Sequence, residues 1–313
     1  MDEDTLSLRS DVLSAALTRM KLRALINITL DAGGRWAVDF PALAGISLNV
    51  VQRGACWLSI AGHGEPVRLN TGDCFLLNEG SVFSLASEPP PRQRTPVAQL
   101  FARAPDGRLS CNGGGDFFVA GTLFRFEGLL APIVLAGLPA VIHVASHAEQ
   151  AAVLRWSLDR FQEELAGSGI GRSLILNHLA PIMLLQTLRL YLRSSPKAQN
   201  WLAALSDPRL SKALEAMHAD VKRGWSLATL AAEAGMSRSG FAVAFKKMVG
   251  VAPMDYLSSW RMQIACDLLR AEGASIAAAA HAVGYSSESA FSLAFTRIVK
   301  CRPGAYRNLA AGR

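Results

Sequence analysis

Apolar positions follow two rhythms along the 313-residue chain. Up to about residue 145 they come in short runs or alternations, namely ISLNVVQ (46–52), ACWLSI (55–60), PVRLN (66–70) and CFLLN (74–78), separated by RG, AGHGE and TGD. Period-two patterning broken by glycine- and aspartate-bearing turns predicts an antiparallel β-roll. Beyond residue 145 the apolar spacing lengthens to three and four, which predicts helices. The first helix spans 146–165, with Ser146 and Glu149 at capping-box spacing and Ala152, Val153, Trp156 and Phe161 on its apolar side. The second spans 171–193 with a stripe of Leu174, Ile175, His178, Leu179, Ile182, Leu185, Leu188 and Leu192, and Pro181 is expected to kink or interrupt it. SSPKAQN (194–200) reads as a polar linker, and Asp207 with Pro208 as an N-cap and N1 proline opening the next helix. The expected fold class is α+β, divided into a β-roll over 1–145, a helical hairpin over 146–195, a linker over 196–206 and an all-α part over 207–313.

The all-α part contains one pattern twice. LATLAAEAGMSRSGFAVAFKKMVGVA (227–252) and IAAAAHAVGYSSESAFSLAFTRIVKCR (276–302) stand about 50 residues apart and match in phase. Leu227, Leu230 and Ala231 answer Ile276, Ala279 and Ala280, a small apolar stripe that lets a second helix cross closely. Gly235 and Gly284 supply the positive φ of a sharp interhelical turn. Ser237 and Ser286 are expected to cap the following helices, whose buried sides carry Phe241 and Phe245 in one copy, Phe291 and Phe295 in the other. The second copy has one more residue between its glycine and its first phenylalanine. Two helix-turn-helix units, at about 226–248 and 275–299, point to duplex DNA as partner. Lys300 stands where the first copy has Gly250, so a lysine is expected in a left-handed conformation at a cost of about 1 kcal/mol.

PMDYLSSWRMQIACDLL (253–269), GYSSESAFSLAF (284–295) and CRPGAYR (301–307) closely resemble the AraC/XylS-type transcription regulators. The resemblance covers roughly residues 201–313. It implies a seven-helix DNA-binding domain in which the helix around Tyr256 to Arg270 joins the two units, each offering its second helix to the major groove. Upstream, VVQRGACWLSIAGHGEPVRLNTGDCFLLNEG (50–80) resembles the cupin-like sensor domain of one group of these regulators, and GLPAVIHV (137–144) resembles its closing segment. Together these imply a sensor followed by a DNA reader, with the hairpin helices dimerising the sensor.

Charge sits where such a reader should be. Residues 201–313 hold 14 Lys and Arg against 8 Asp and Glu, so six of the chain's seven net positive charges lie there. Lys246, Lys247, Arg261, Arg297, Lys300, Arg302 and Arg307 are candidates for phosphate contact. The first reading helix presents Arg238, Ser239, Ala242 and Val243, and the second Ser287, Glu288, Ser289, Ser292, Leu293 and Thr296. Ala242 and Val243 stand where many relatives carry Arg or another polar residue. They cannot donate to guanine, though they could touch thymine methyl groups. Direct discrimination is therefore expected to be modest, with DNA shape and phosphate contacts carrying much of the affinity.

Sensor chemistry is less marked. Cupin enzymes hold a metal with two or three His and a carboxylate, yet Asn49 and Phe83 stand near places where relatives often have His. His63 on a turn and His143 on a strand have no ligand spacing between them, so no metal and no other cofactor is expected. Five Cys without a C-x-x-C pair fit free thiols. Cys56 and Cys74 read as small buried hydrophobes on neighbouring strands or as redox sensors, and Cys111, opening CNGGGD (111–116), as the exposed thiol. Cys266 reads as core. Trp57, Phe75, Phe83 and Phe101 are candidate walls of an effector pocket. No apolar segment is long enough to span a membrane, and the acidic start MDEDTLSLRSD lacks a signal-peptide pattern, which suggests the cytoplasm. The favoured expectation is a dimeric, ligand- or redox-responsive transcription regulator. A cupin enzyme with a DNA-binding appendage and a front domain serving only dimerisation remain as alternatives.

Overall fold

The computed structural model describes residues 11–91, 93–146, 152–195, 198–271 and 275–311. In chain order they form α1 (Val12–Arg19), β1 (Arg23–Ala32), β2 (Ala37–Phe40), β3 (Ile46–Arg53), β4 (Ala55–Ile60), β5 (His63–Asn70), β6 (Cys74–Leu77) and β7 (Phe83–Ala86). These are followed by β8 (Thr95–Pro96), α2 (Val97–Phe101), β9 (Arg108–Cys111), β10 (Phe117–Arg125), α3 (Ala131–Leu135) and β11 (Val141–Val144). The remainder is helical, with α4 (Ala152–Ala166), α5 (Arg172–Ser194), α6 (Trp201–Ala204), α7 (Leu210–Ala219) and α8 (Leu227–Glu233). It ends in α9 (Arg238–Val249), α10 (Pro253–Leu269), α11 (Ile276–Ala282), α12 (Glu288–Val299) and α13 (Pro303–Ala311). Two compact units result, one from Leu22–Phe126 and Leu138–Pro196, the other from Met1–Lys21, Glu127–Gly137 and Lys197–Arg313, within the described residues.

The first unit is a roll of two sheets, ordered β11-β6-β3-β10-β1-β9 and β5-β4-β7-β2-β8. Pairing is antiparallel except at two sheet edges, where β9 runs parallel to β1 and β8 parallel to β2. The expected strands at 46–52, 55–60, 66–70 and 74–78 correspond to β3 to β6. Alternation along β4 turns Cys56 and Leu58 inward, where they join Leu30, Val51, Leu69, Phe75, Phe83 and Leu85 in one core. The TGD turn is fixed by a buried Asp73, whose carboxylate accepts from the amides of Asn70 (3.0 Å) and Ser146 (2.8 Å) and lies 3.1 Å from His143 Nε2. Burial alone would raise this carboxyl, but those bonds outweigh it and hold Asp73 below its ordinary value.

Helix α4 packs on α5 and buries Leu154, Leu158 and Phe161. The buried side differs from the one expected. Phe161 is inside, whereas Val153 and Trp156 are 54% and 62% exposed, because the face that docks is offset around the helix and includes Ser157 and Glu164. Arg160 pairs with Glu164 there. The expected capping box reaches Glu149, which lies outside the described residues, as do residues 1–10 of the acidic start and Pro196 and Lys197 of the expected linker. Helix α5 runs unbroken through Pro181, contrary to an interruption.

The second unit is all-helical. Leu230, Ala231, Phe241 and Phe245 are buried in the first helix-turn-helix, and Ala279, Ala280, Phe291 and Phe295 in the second. Between them α10 buries Tyr256, Leu257, Trp260, Met262, Ala265, Cys266 and Leu269. The division expected from the sequence differs from these units, in which the hairpin expected at 146–195 falls together with the roll. Helix α1 and the segment 127–137, counted within the roll at 1–145, pack with the helical unit. The expected linker 196–206 contains α6, capped by the Asn200 side chain on the Ala203 amide at 2.9 Å, with Trp201 and Leu202 fully buried. Asp207 does cap the next turn, accepting from the amides of Arg209 (2.9 Å) and Leu210 (3.2 Å), although regular helix begins only at Leu210.

Candidate nucleic-acid interface

Each reading helix is built in the same way. Ser226 and Thr229 form a reciprocal capping box on α8, and Ser275 caps α11 by accepting from the Ala278 amide. Gly235 and Gly284 then turn the chain at φ 61° and 79°, where a side chain would be strained. Ser237 caps α9 from the Gly240 amide. In the second copy the cap is Ser287, accepting from the Ala290 amide, rather than Ser286, because the extra residue shifts the helix start by one. Ser287 is therefore a capping residue in front of the helix. Lys300 ends α12 at φ 62°, in the left-handed conformation that Gly250 adopts at φ 86° in the first copy.

Beyond the caps the two helices share their burial pattern from Phe241 to Met248 and from Phe291 to Ile298. Phe241 and Phe245, like Phe291 and Phe295, are fully buried. Arg238, Ser239, Val243, Lys246 and Lys247 are exposed, as are Ser287, Glu288, Ser289, Leu293, Thr296 and Arg297, while Ala242 and Ser292 are half-buried on the flank. The expected readers thus share one outward face on each helix. Arg261 does not join them. Its guanidinium donates to the carbonyls of Val221 (3.0 Å) and Arg223 (2.8 Å) and lies 5.9 Å from the Tyr285 ring, so it ties the turn after α7 to the second unit instead of offering its charge outward.

What holds α10 was not apparent from sequence patterning. Gln263, 2% exposed, accepts from the Leu129 amide (2.8 Å) and donates to the Arg19 carbonyl (3.1 Å). Arg19 also pairs with Asp267 at 3.1 Å. Gly128 is at φ 103°, and a Cβ there would lie 2.3 Å from Gln263 Oε1. The only sequence signal was a glutamine inside an otherwise apolar helix stripe. Nearby, the Tyr256 hydroxyl accepts from Trp201 Nε1 (3.1 Å) and is hydrogen-bonded to His218 Nε2 (2.8 Å), and the His218 ring stacks on Trp260 at 3.8 Å. Burial, with Arg19 adding repulsion, lowers His218 to about 3, so the ring is neutral.

A cupin family model matches residues 11–193 and a helix-turn-helix domain model residues 230–309. An AraC-like transcription regulator of Streptomyces lividans is 41% identical over 300 residues, covering 95% of this chain and 98% of the relative. The chain belongs to the AraC-type transcription regulators. The HTH-type transcriptional regulator AlkR of Acinetobacter baylyi is 27% identical, over 95% of this chain and 99% of its own length. The solved structure of ToxT from Vibrio cholerae is 14% identical, with a TM-score of 0.36, over 94% of this chain and 98% of its own. This AraC-type protein is a DNA-binding transcription regulator with a cupin-like front domain.

Within that front domain the sensor candidates part company. Cys56 and Cys74 lie in different sheets, not on neighbouring strands, and both are buried. Burial pushes each thiol up to about 12, and Cys74 Sγ lies 3.8 Å from Thr187 Oγ1. Cys111 was expected to be exposed. It closes β9 with its side chain in the core, and burial raises it too. Cys301 is the least buried of the five, and Cys266 is core as expected. Phe75 and Phe83 are core residues, Phe83 stacking on Phe40 at 4.5 Å, with Phe101 packed against them. Trp57 is no interior wall. It faces away from the core, with the Arg68 guanidinium 5.2 Å from its ring. His63 is exposed with Nδ1 3.2 Å from the Ala61 carbonyl. Among the described residues, no three His, Cys, Asp or Glu side chains cluster as metal ligands, and no helix is long and apolar enough to cross a membrane.

Proposed function

We propose that this regulator acts in the cytoplasm as a homodimer that reads a bipartite operator through α9 and α12 and answers to a small molecule held in the roll. The observation that carries the reading is the matched outward faces of the two helices, each backed by a buried pair of phenylalanines. Arg238, Ser239, Ala242, Val243, Lys246 and Lys247 are the contacts of the first unit. Ser287, Glu288, Ser289, Ser292, Leu293, Thr296 and Arg297 are those of the second, Ser287 through the helix terminus that it caps. Successive major-groove faces lie about 34 Å apart, so one chain spans two of them.

Dimerisation runs through α4 and α5, which leave the large apolar side chains Val153, Trp156, Leu174 and Ile182 exposed, as associating faces do. The effector is a small molecule rather than an oxidant acting on Cys56, Cys74 or Cys111, because buried protonated thiols are poor nucleophiles. Binding in the roll alters how two readers are presented, by differential affinity for two states. No catalytic role is assigned to the front domain. Fluorescence anisotropy of the full chain on promoter fragments from its own genome tests the reading. Saturable binding that weakens steeply with salt supports it, and indifference to every fragment in dilute buffer ends it. Sedimentation of Trp156→Glu tests the dimer, which this change should weaken.

A further inference from the structure

Large apolar side chains are seldom left bare on a polar helix face, and this chain does so at the same place in both reading helices. Val243 is 70% exposed and Leu293 is 76% exposed. At about 100° per residue, position 243 lies roughly 180° from the midpoint of Phe241 and Phe245, and position 293 bears the same relation to Phe291 and Phe295. Each is thus the crest of its helix, the point that reaches furthest from the protein's own core. Around the crests stand Ser239, Lys246 and Lys247 in one copy, Ser289, Thr296 and Arg297 in the other, all exposed. Short serines leave the apolar tip unobstructed, and the cations suit flanking phosphates.

We infer that Val243 and Leu293 are specificity determinants that read the 5-methyl groups of thymines, one in each half of the operator. A branched aliphatic side chain has no hydrogen bond to give a base edge, and the one apolar group that the major groove displays is the thymine methyl. At a guanine or cytosine the same tip would desolvate a polar edge without return. Recognition at these two points is therefore by van der Waals contact and exclusion of water. The two methyls lie about one helical turn, roughly 10 base pairs, apart. This inference rests on the proposed placement of α9 and α12 in the major groove and narrows it to one chemical group on the base.

The test removes that group alone. Duplexes that bind the full-length protein are selected from a randomised pool, and each thymine of the resulting site is replaced in turn by deoxyuridine, which keeps every hydrogen-bonding atom. Two replacements about one turn apart should each weaken binding about four-fold, the worth of one buried methyl, with the other thymines near unity. Val243→Ala should abolish the methyl dependence at one of the two positions and Leu293→Ala at the other, and thermal melting of both variants confirms that they fold. If no replacement shifts affinity as much as two-fold, or if both variants keep the wild-type pattern, the inference is overturned while DNA reading stands. Failure to enrich any sequence would overturn the proposed function as well.

Discussion

Replacing Gln263 with Leu should detach two chain segments from α10 at once. The glutamine holds the Arg19 carbonyl and the Leu129 amide from a site only 2% exposed. Leucine is close in size and keeps the packing, but it can neither accept nor donate. The two lost bonds are worth about 1 kcal/mol each, and the Leu129 amide, left without its acceptor, adds a desolvation penalty of about 1–3 kcal/mol. Some relaxation of the 127–137 segment toward solvent will recover part of that, so a loss of about 2–4 kcal/mol is expected. Hydrogen exchange at the Leu129 amide is the direct assay, with denaturant unfolding of the same sample beside it. Exchange should accelerate at Leu129, while amides inside α9 and α12 keep their protection relative to global unfolding. Gly128→Ala approaches the same contact from the other side, since its Cβ would lie 2.3 Å from Gln263 Oε1, and it should reproduce the effect. A Gln263→Leu protein with Leu129 still protected and stability within about 0.5 kcal/mol of wild type would refute the claim that this side chain fastens the two segments.

Three further outcomes follow from single residues. His218 is held near 3 against an ordinary 6.5, so the unfolded chain takes up a proton before the folded one as pH falls. The stability it contributes is complete above about 6.5 and declines as pH drops toward 3, by about 1.4 kcal/mol per unit at most, and the stability gap between wild type and His218→Gln should shrink between pH 7 and 5.5. Lys300→Gly relieves a left-handed lysine at φ 62° and should raise the melting temperature, for a gain of up to about 1 kcal/mol. Lys247→Ala should lower the slope of log affinity against log salt by about one, with little change in which sequence is preferred.

The helical repeat was legible because each of its features is local. A glycine at a positive φ, a serine one step before a helix and phenylalanines four apart leave their mark within a dozen residues, and the lysine at position 300 could be placed by analogy with Gly250 alone. The roll was legible as strands, since alternation in ACWLSI shows which residues share a face. It was not legible as sheets. Nothing in the sequence near Cys56 and Cys74 says that they part into different layers, because that depends on pairings such as β6 with β11 between residues more than 60 apart. Cys111 departs from its local pattern for a related reason. Its glycine-rich neighbours look like a loop, but the cysteine itself pairs with Ala32 at the end of β9 and turns inward. The affiliation of α1 and of 127–137 with the helical unit had no local signature beyond Gln263 itself.

The two reading helices share a skeleton but not a charge. The first turn of α9 begins with Arg238 and that of α12 with Glu288, at the positive end of each helix dipole. Glu288 is favoured there by a few tenths of a kcal/mol and Arg238 is disfavoured by a similar amount in the free protein. Phosphate oxygens approaching in the groove reverse the balance, since Arg238 then gains a partner and Glu288 meets a like charge. Counting the outward face, α9 offers Arg238, Lys246 and Lys247, whereas α12 offers Arg297 against Glu288. With both helices in the groove, α9 therefore brings more net positive charge than α12, where the phosphate grip rests on Arg297 and on the exposed Lys300 and Arg302 just beyond the helix. Discrimination in the second half of the operator then rests on the uncharged side chains Ser289, Ser292, Leu293 and Thr296 and on the shape of the duplex, and a mismatch there should cost affinity without altering the salt slope.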